Sequence, residues 1–570
     1  MELINPFDKE KYPFCHSGHQ YALDILSGSI VSNIYIKGAC QRYLNDLAEN
    51  PKFYFDPDKA ERFLRLAQRF KHVKGEWKTP TLVFEPWQNF MFMNIHGFIS
   101  KTTGERRFRT AHIEVARGNG KSAIASVEGL YDLSLDSPKG NEIYSAATGK
   151  DQAKIVLDSA RAMAKANKSF LQKTGTRVLA HQIIHEKSNS FFKALSSDSN
   201  TLDGLQPKTA IIDELHAHRN RHVFDVIDSA MSKRRDSLLF VITTAGFDTS
   251  GIGYSQSAYA KKVCIGDVED DSFFAVVYTL DEKDDPFDSE VWPKSNPNWG
   301  VSVDPENFAA KAKKARESSE DLSNFKVKHL NLWINSSSPF FSVEKWKELA
   351  DPSLKIENFL GQKCWTSVDL ASKIDLASKA FIFKITDPKN PSAPCKYAIF
   401  TKNYIPEQTL NESSNNAYKR WKEKGFLIST QGEAINYPYL QDEFEKTSKS
   451  HKFVGVHYDP WSANEFAQRM AAKRMNMIEF RMTTANLSEP MKTLDALIRQ
   501  KRIIHDGNEL VTWCLGNVVA KRDANENVFP RKENEKLKID PAVAMIMALA
   551  GWIGEEANES VYEKRGIIVL

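Results

Sequence analysis

The period of the hydrophobic pattern changes along the chain. Through the first 75 residues apolar side chains recur at spacings of three and four, at Tyr21–Leu26, Ala39–Leu47 and Lys59–Phe70, which predicts helices. The stretch FEPWQNFMFMNIHGF (84–98) continues as a helix with Pro86 in its first turn. From residue 108 short apolar runs alternate with helical ones. Strands are predicted near 108–115, 141–147, 208–213, 237–243 and 272–280, and helices near 122–133, 151–167, 222–233 and 254–264. That alternation is the signature of a mostly parallel α/β sheet. Residues 177–197 read as a polar-turn hairpin, helices near 305–318 and 323–331 close the block, and 333–355 has the Ser/Pro content of a connector. A new pattern begins at 364, where CWTSVDL, SKAFIFKIT and KYAIFTKNYI form an antiparallel meander. A strand at 452–459 and a helix over 539–551 follow it.

Candidate chemistry in the first block lies where strands end. FRTAHIEVARGNGKS (108–122) is a strand that breaks into a loop with Gly118 and Gly120 and then starts a helix. Such a loop turns backbone N–H groups and a helix N-terminus toward phosphates, with Lys121 as a point charge and Ser122 as a hydroxyl for Mg²⁺. The match to G-x-x-x-x-G-K-[ST] is incomplete, because Val115 stands at the first glycine position and Arg117 lies inside the loop. Alone, the loop is equally an ordinary strand-to-helix turn with a solvated lysine. KTAIIDELH (208–216) supplies the partner signal, an apolar run ending in Asp213 and Glu214. There Asp213 would serve the Mg²⁺ shell and Glu214 the attacking water. Thr243 and Thr244 end the next strand, in VITTAGF, where an open sheet faces its ligand crevice; turn-forming hydroxyls are the alternative. Gln88, just upstream of the loop, is either part of an aromatic core helix or a reader of an adenine edge.

A second set of carboxylates follows the connector. Asp369 lies on the first meander strand, Asp459 ends a later strand in KFVGVHYDPW, and Asp540 opens the late helix IDPAVAMIMALAG. Hard divalent cations take oxygen ligands, and two of them about 4 Å apart stabilise both the attacking and the leaving oxygen of a phosphodiester. Taken singly, Asp540-Pro541 is also a helix N-cap and Asp459-Pro460 a turn. Asp375 reads as a surface loop residue or a fourth acid. Basic residues accompany this half at Lys473-Arg474, Arg481, Arg499, Lys501-Arg502, Lys521-Arg522 and Arg531-Lys532, as a DNA-backbone lining or as solvated faces. Arg234 and Arg235 are either an arginine sensor or a solvated helix end.

Composition changes this picture little. At 570 residues the chain is too long for one core. Its 41% apolar and 26% charged content is that of a globular protein, and a net charge of +4 permits DNA without demanding it. Six scattered cysteines without a C-x-x-C pair give neither a disulfide framework nor a zinc site and fit a reducing cytoplasm. The longest apolar run is too short to span a bilayer, so no membrane is expected.

The ordered set VARGNGKS, IIDELH, VITTAGF, SVDLASKIDLA, YDPW and KIDPAVAMIMALA resembles the large terminase subunit of tailed double-stranded DNA bacteriophages, over about residues 80–555. The resemblance implies an N-terminal P-loop ATPase with a mostly parallel sheet and a C-terminal ribonuclease H-like nuclease with a mixed sheet. The implied organisation is a helical region at 1–75, an ATPase domain at 76–335, a linker at 336–356 and a nuclease domain at 357–570. It implies ATP with Mg²⁺, bound by Gln88, Arg117, Gly118, Asn119, Gly120, Lys121, Ser122 and Asp213, with Thr243 and Thr244 as the coupling motif. Glu214 and Arg117 would be catalytic in hydrolysis. Asp369, Asp459 and Asp540 would hold Mg²⁺ or Mn²⁺ for cutting. The implied partners are double-stranded DNA, a small terminase subunit, the procapsid portal and further copies of the chain in a ring. The implied location is the host cytoplasm, transiently on the portal and not in the mature virion.

Other classes fit less of the chain. A helicase or other DNA-dependent ATPase shares the first constellation but needs a second ATPase-like core where the meander stands. A resolvase or transposase leaves the first 330 residues idle. A non-catalytic capsid assembly protein needs neither constellation.

Overall fold

The computed structural model describes residues 5–563 except 76, 78, 137–139, 148–149, 196–203, 219–220, 250, 318, 335–338, 371–374, 387–393, 414, 416, 524 and 533–536. The end of the predicted 177–197 hairpin, residues 336–338 of the expected linker, residues 371–374 of the SVDLASKIDLA stretch and the last seven residues therefore lie outside the described part. The chain divides into two compact units, Met1–Ile334 and Asn335–Leu570. Among the described residues no helix is long and apolar enough to cross a membrane.

The first unit is built on an eight-stranded sheet. In spatial order its strands are Phe273–Val277, Thr110–Glu114, Leu238–Thr243, Pro207–Asp213, Glu142–Ala146, Ser190–Leu195, Gln182–His185 and Thr176–Val178. The first six run parallel, and Gln182–His185 then pairs antiparallel with both of its neighbours. The sequence reads 177–197 as an inserted hairpin. Its last strand in fact pairs parallel with Glu142–Ala146 and so extends the main sheet. Buried on both faces, the central strands are near-continuous apolar runs, as parallel strands must be.

The N-terminal helices Pro13–Ser27, Ile34–Ala48 and Pro57–Ala67 share one core with this sheet. Tyr21 and Tyr278 hydroxyls meet at 3.1 Å, and the Asn33 amide donates to the carbonyls of Val277 at 3.0 Å and Thr279 at 2.7 Å. Buried charges fill the end of the sheet away from the lysine loop. Arg106 lies 3.5 Å from Glu128 and 3.4 Å from Asp132, and Lys208 lies 3.0 Å from Asp136 and 2.7 Å from Asp236. Arg234 is tied into this end, donating to Asp236, the Gly140 carbonyl and Asn141 at 3.1–3.2 Å. That role of Arg234 is structural, while Arg235 beside it is exposed.

The second unit holds a mixed sheet. The meander Lys363–Asp369, Ala377–Ile385 and Lys396–Pro406 is antiparallel, and Lys452–Tyr458 then pairs parallel with its first strand. The long helix from Asp540 packs on the first two meander strands. Residues read as a connector are folded from Phe340 onward. Phe341 and Trp346 are buried in this unit's core, and Trp346 stacks on His505 with ring centroids 3.9 Å apart.

Candidate functional site

The lysine loop follows the strand Thr110–Glu114; its neighbour Leu238–Thr243 carries the threonines, and the next strand over, Pro207–Asp213, carries the acids. Glu114 is in register with Thr243, and Asp213 with Ile242, so all three strand ends open on one edge of the sheet. Gly118 and Gly120 have φ of 91° and 77°, a left-handed backbone that glycine adopts without strain. The helix Lys121–Ser134 begins directly after them. Asn119 is wholly buried and fixes the loop: its amide donates to the Ala116 carbonyl at 3.1 Å, and its oxygen accepts from the Asn298 N–H at 3.0 Å. Ser302 donates to the Gly118 carbonyl at 2.6 Å, and the Arg117 N–H donates to the Lys328 carbonyl at 3.0 Å. The segment 296–328, which sequence reading treats only as closing helices, thus buttresses the loop.

Lys121 is buried and folds back on its own loop, donating to the Val115 and Ala116 carbonyls at 3.3 and 3.4 Å. Burial pulls its proton affinity below the ordinary lysine value, while Glu214 and Asp213 oppose that shift. Arg117 is exposed on the same loop, and its charge reaches both Lys121 and Glu214. Gln88 is buried in the first turn of the helix Pro86–Gly97. Its side-chain oxygen accepts from the Glu85 N–H at 2.9 Å. Its amide nitrogen stands 3.6 Å from where a Cβ on Gly120 would lie, so it borders the loop.

The two acids of IIDELH are set apart by their surroundings. Burial pushes the Asp213 carboxyl up to about 7, with Glu214 adding to the rise and Lys121 resisting it. Burial also acts to raise Glu214, but its hydrogen bond with His216 and the charges of Lys121 and Arg117 prevail and hold it down to about 2. Glu214 adopts φ 50°, uncommon for a side-chain-bearing residue, which turns it out of the strand line. His216 Nδ1 lies 3.1 Å from its Oε2, and the Thr244 hydroxyl donates to the same oxygen at 3.4 Å. His216 Nδ1 also sits 3.2 Å from both Thr243 and Thr244 hydroxyls. The structure therefore brings Lys121, Asp213, Glu214, Thr243 and Thr244 together and adds His216. Sequence reading missed His216, although a histidine two residues after a strand-end glutamate was a usable signal.

In the second unit Asp369 ends one strand, Asp459 follows the parallel strand beside it, and Asp540 opens the helix that packs on the meander. Burial, then the charges of Asp540, Asp459 and Asp375, hold the Asp369 carboxyl well above the usual range. Burial and then Asp375 push Asp540 up to about 6, against Lys538 and Lys532. Asp375 is not simply a surface residue, since it bears on both acids and pairs with Lys538 at 2.7 Å. Among the described residues no three His, Cys, Asp or Glu side chains are closed into a ready metal cage. The donor set still fits a hard divalent cation: it is all oxygen, and the mutual repulsion of its charges is what such a cation relieves. Of the basic residues, Lys473, Arg499 and Lys501 are paired with Glu445, Asp495 and Glu348. Lys521, Arg522, Arg531 and Lys532 stand exposed on the hairpin Val519–Arg531 and just beyond it.

Comparison with known proteins adds to this geometry. The family model "Terminase large subunit, ATPase domain" matches residues 86–262, and "Terminase large subunit, endonuclease domain" matches 267–556. Protein YmfN of Escherichia coli (strain K12) is 35% identical over 357 residues, covering 61% of this chain and 78% of that protein. The large terminase subunit of Enterobacteria phage HK97 is 23% identical over 513 residues, covering 88% and 97%. The crystal structure of the HK97 large terminase aligns with a TM-score of 0.44 at 22% identity, over 86% of this chain and 99% of that one.

Proposed function

The chain belongs to the terminase large-subunit family, and from that premise we propose which residues perform its two reactions and with which ions and partners. As a member it is a DNA-packaging ATPase and endonuclease, acting on DNA with other phage packaging components and using a nucleotide and divalent metal. Helicase, resolvase and capsid-scaffold readings are not favoured, because both catalytic domains are present on one chain.

For ATP hydrolysis, the loop 115–122 cradles the β- and γ-phosphates with its N–H groups, and Gln88 reads the adenine. Lys121 leaves its two carbonyls for the phosphates, an exchange of two neutral acceptors for a charged one. Ser122 and Asp213 would hold Mg²⁺, which neutralises phosphate charge when bound. Glu214 orients the attacking water through its ionised carboxylate. Its low proton affinity keeps it ionised, and Thr244 and His216 fix its oxygen. Arg117 adds positive charge at the γ-phosphate, and Thr243 and Thr244 carry the change in the site to the sheet edge.

For cutting, Asp369, Asp459 and Asp540 would hold two Mg²⁺ or Mn²⁺ ions, which supply charge at the attacking and leaving oxygens of the phosphodiester. The exposed cations Lys521, Arg522, Arg531 and Lys532 line the backbone path of double-stranded DNA. We further place the chain in a homo-oligomeric ring on the procapsid portal, fed by a small subunit, in the host cytoplasm and outside the mature virion.

The observation that carries this assignment is that the two acid sets belong to separate compact units, one beside a buried lysine loop and the other made of aspartates whose charges act on one another. The test is paired measurement of phosphate release and plasmid cleavage. Lys121→Ala and Glu214→Gln abolish ATP turnover, Glu214→Gln by about 10²–10⁴ with ATP still bound. Asp369→Asn, Asp459→Asn and Asp540→Asn abolish cutting and spare ATP turnover. Wild-type hydrolysis by Glu214→Gln, or cleavage surviving all three Asn changes, refutes the corresponding assignment.

A further inference from the structure

Trp461 is 96% exposed, well beyond the next most exposed large apolar residue, Leu360 at 59%. It follows Asp459 and Pro460 at the start of the helix Pro460–Ala472. That helix buries Ala463, Phe466, Ala467 and Met470, a stripe at spacings of three and four that leaves Trp461 off the packed face. Among the described residues the indole makes no ring contact and no side-chain hydrogen bond. An indole can bury 150–250 Å², and here folding uses none of that capacity. Its backbone, in contrast, is held: the Trp461 N–H donates to Asp459 Oδ1 at 3.2 Å, so the residue that carries the ring sits directly beside one of the acids of the cutting site. Ala463, at φ −122° and ψ 16°, breaks the helix just after it and sets the first turn apart.

We propose that Trp461 is a DNA-contacting residue of the nuclease, stacking on a nucleobase of the strand whose phosphate lies at Asp459. The inference rests on reading Asp459 as a ligand of the cutting site. Two residues of chain span at most roughly 7 Å between Cα atoms, so the ring, with its own side-chain length added, stays within a few nucleotides of that phosphate at about 3.4 Å of rise per step. A base whose stack is opened beside the cut exposes a face that an aromatic ring can cover whatever its identity, so the contact is tolerant of sequence and grips the DNA without specifying it. It supplies apolar area beside a site whose other groups are all charged. Stacking also holds one nucleotide in place while the neighbouring phosphate is cut, which makes Trp461 a positioning residue.

The experiment uses the full-length chain with Trp461→Ala, Trp461→Phe and Asp459→Asn. The probe is a duplex carrying 2-aminopurine near an end, scored for cleavage in Mn²⁺ across DNA concentrations and for fluorescence quenching in Ca²⁺. Base–aromatic stacking predicts that Trp461→Ala raises the half-saturating DNA concentration roughly 5- to 150-fold. ATP turnover and melting temperature stay unchanged. Trp461→Phe restores most of the affinity, and quenching seen with wild type is lost in the Ala variant. An unchanged half-saturating concentration with unchanged quenching overturns the proposal, as it would if Trp461 served only to dock another protein. Cleavage that survives Asp459→Asn overturns the site reading itself, a result distinguishable from failure of the Trp461 inference alone.

Discussion

At the level of single residues, position in the fold decides which charges do chemistry and which are tolerated. Lys121 is a buried cation with acceptors to leave and acids to face. Lys379 is a buried cation with neither phosphate nor metal in prospect: it is wholly buried on the second meander strand, donates to the Leu440 carbonyl at 2.6 Å and lies over the Tyr404 and Phe444 rings. Burial, the largest influence, lowers it from 10.5 to about 7. Between those values the unfolded chain binds a proton that the folded chain does not. Its contribution to stability is therefore most favourable above pH 10.5 and is lost progressively as pH falls to about 7, below which the penalty is constant. Lys379→Met is expected to raise the melting temperature at pH 7 to 8 and to flatten the rise of melting temperature between pH 7 and 9 expected of the wild type. Parallel pH curves for the two proteins contradict it. The sequence disclosed Lys121 because glycines and a following helix frame it, and Asp213 and Glu214 because they end an apolar run. Lys379 was not legible, because SKAFIFKIT differs from any edge strand only in what packs over it. Asp375 stays open between a surface loop residue and a fourth acid in the sequence for the same reason: its effect on Asp369 and Asp540 is a matter of three-dimensional proximity.

At the level of elements, the catalytic turn depends on what presses against it. The 3-10 turn Leu215–Ala217, which carries His216, packs against the start of the helix Ile252–Ile265. Gly253 makes that contact possible: a Cβ there would lie 2.7 Å from His216 Cα, 3.0 Å from the Leu215 carbonyl oxygen and 3.0 Å from the Trp333 ring. Two of these are backbone atoms or directly attached to backbone, so relief requires moving the turn and, with it, the hydrogen bond that holds Glu214. Gly253→Ala is expected to cost about 1–3 kcal/mol of stability and to lower ATP turnover by about tenfold, as a hydrolysis assay with urea melts will read. Normal turnover with normal stability would show that the turn accommodates the methyl freely. Strand and helix placement in the first block was legible because period and turn residues agree there. The close approach at Gly253 was not, since a glycine near a helix start has many uses and only the packing partner separates them. The same holds for the hairpin at 177–197, whose third strand joins the main sheet through a pairing with Glu142–Ala146, 49 residues earlier in sequence (Glu142 with Phe191).

At the level of the whole molecule, the point at which the chain can be divided follows from packing. The endonuclease family model begins at residue 267, yet residues 296–328 hold the lysine loop through Asn119, Ser302 and Lys328, and the first compact unit runs to Ile334. A fragment beginning at 267 would carry the ATPase's own buttress away from its loop and expose Phe308 and Phe325, which are buried in the first unit. A fragment beginning at 357, where the Ser/Pro-rich stretch ends, would lose Phe341 and Trp346 from the second unit's core. Removing Trp346 takes away a fully buried ring and its stack on His505, a loss on the scale of about 3–5 kcal/mol for a large aromatic. The division that keeps both cores whole lies near 335–339. Residues 339–570 are therefore expected to fold alone, to melt cooperatively, and to cut plasmid DNA in Mn²⁺ without ATP. The fragment from 357 should melt markedly lower or aggregate, and residues 1–334 should bind ATP without cutting DNA. Thermal melting and plasmid cleavage on the same three preparations decide the matter. If the fragment from 339 melts as wild type does in its second transition yet cuts only with ATP and the first unit added back, the two reactions are not independent, and the nuclease acids must be completed by residues of the ATPase unit.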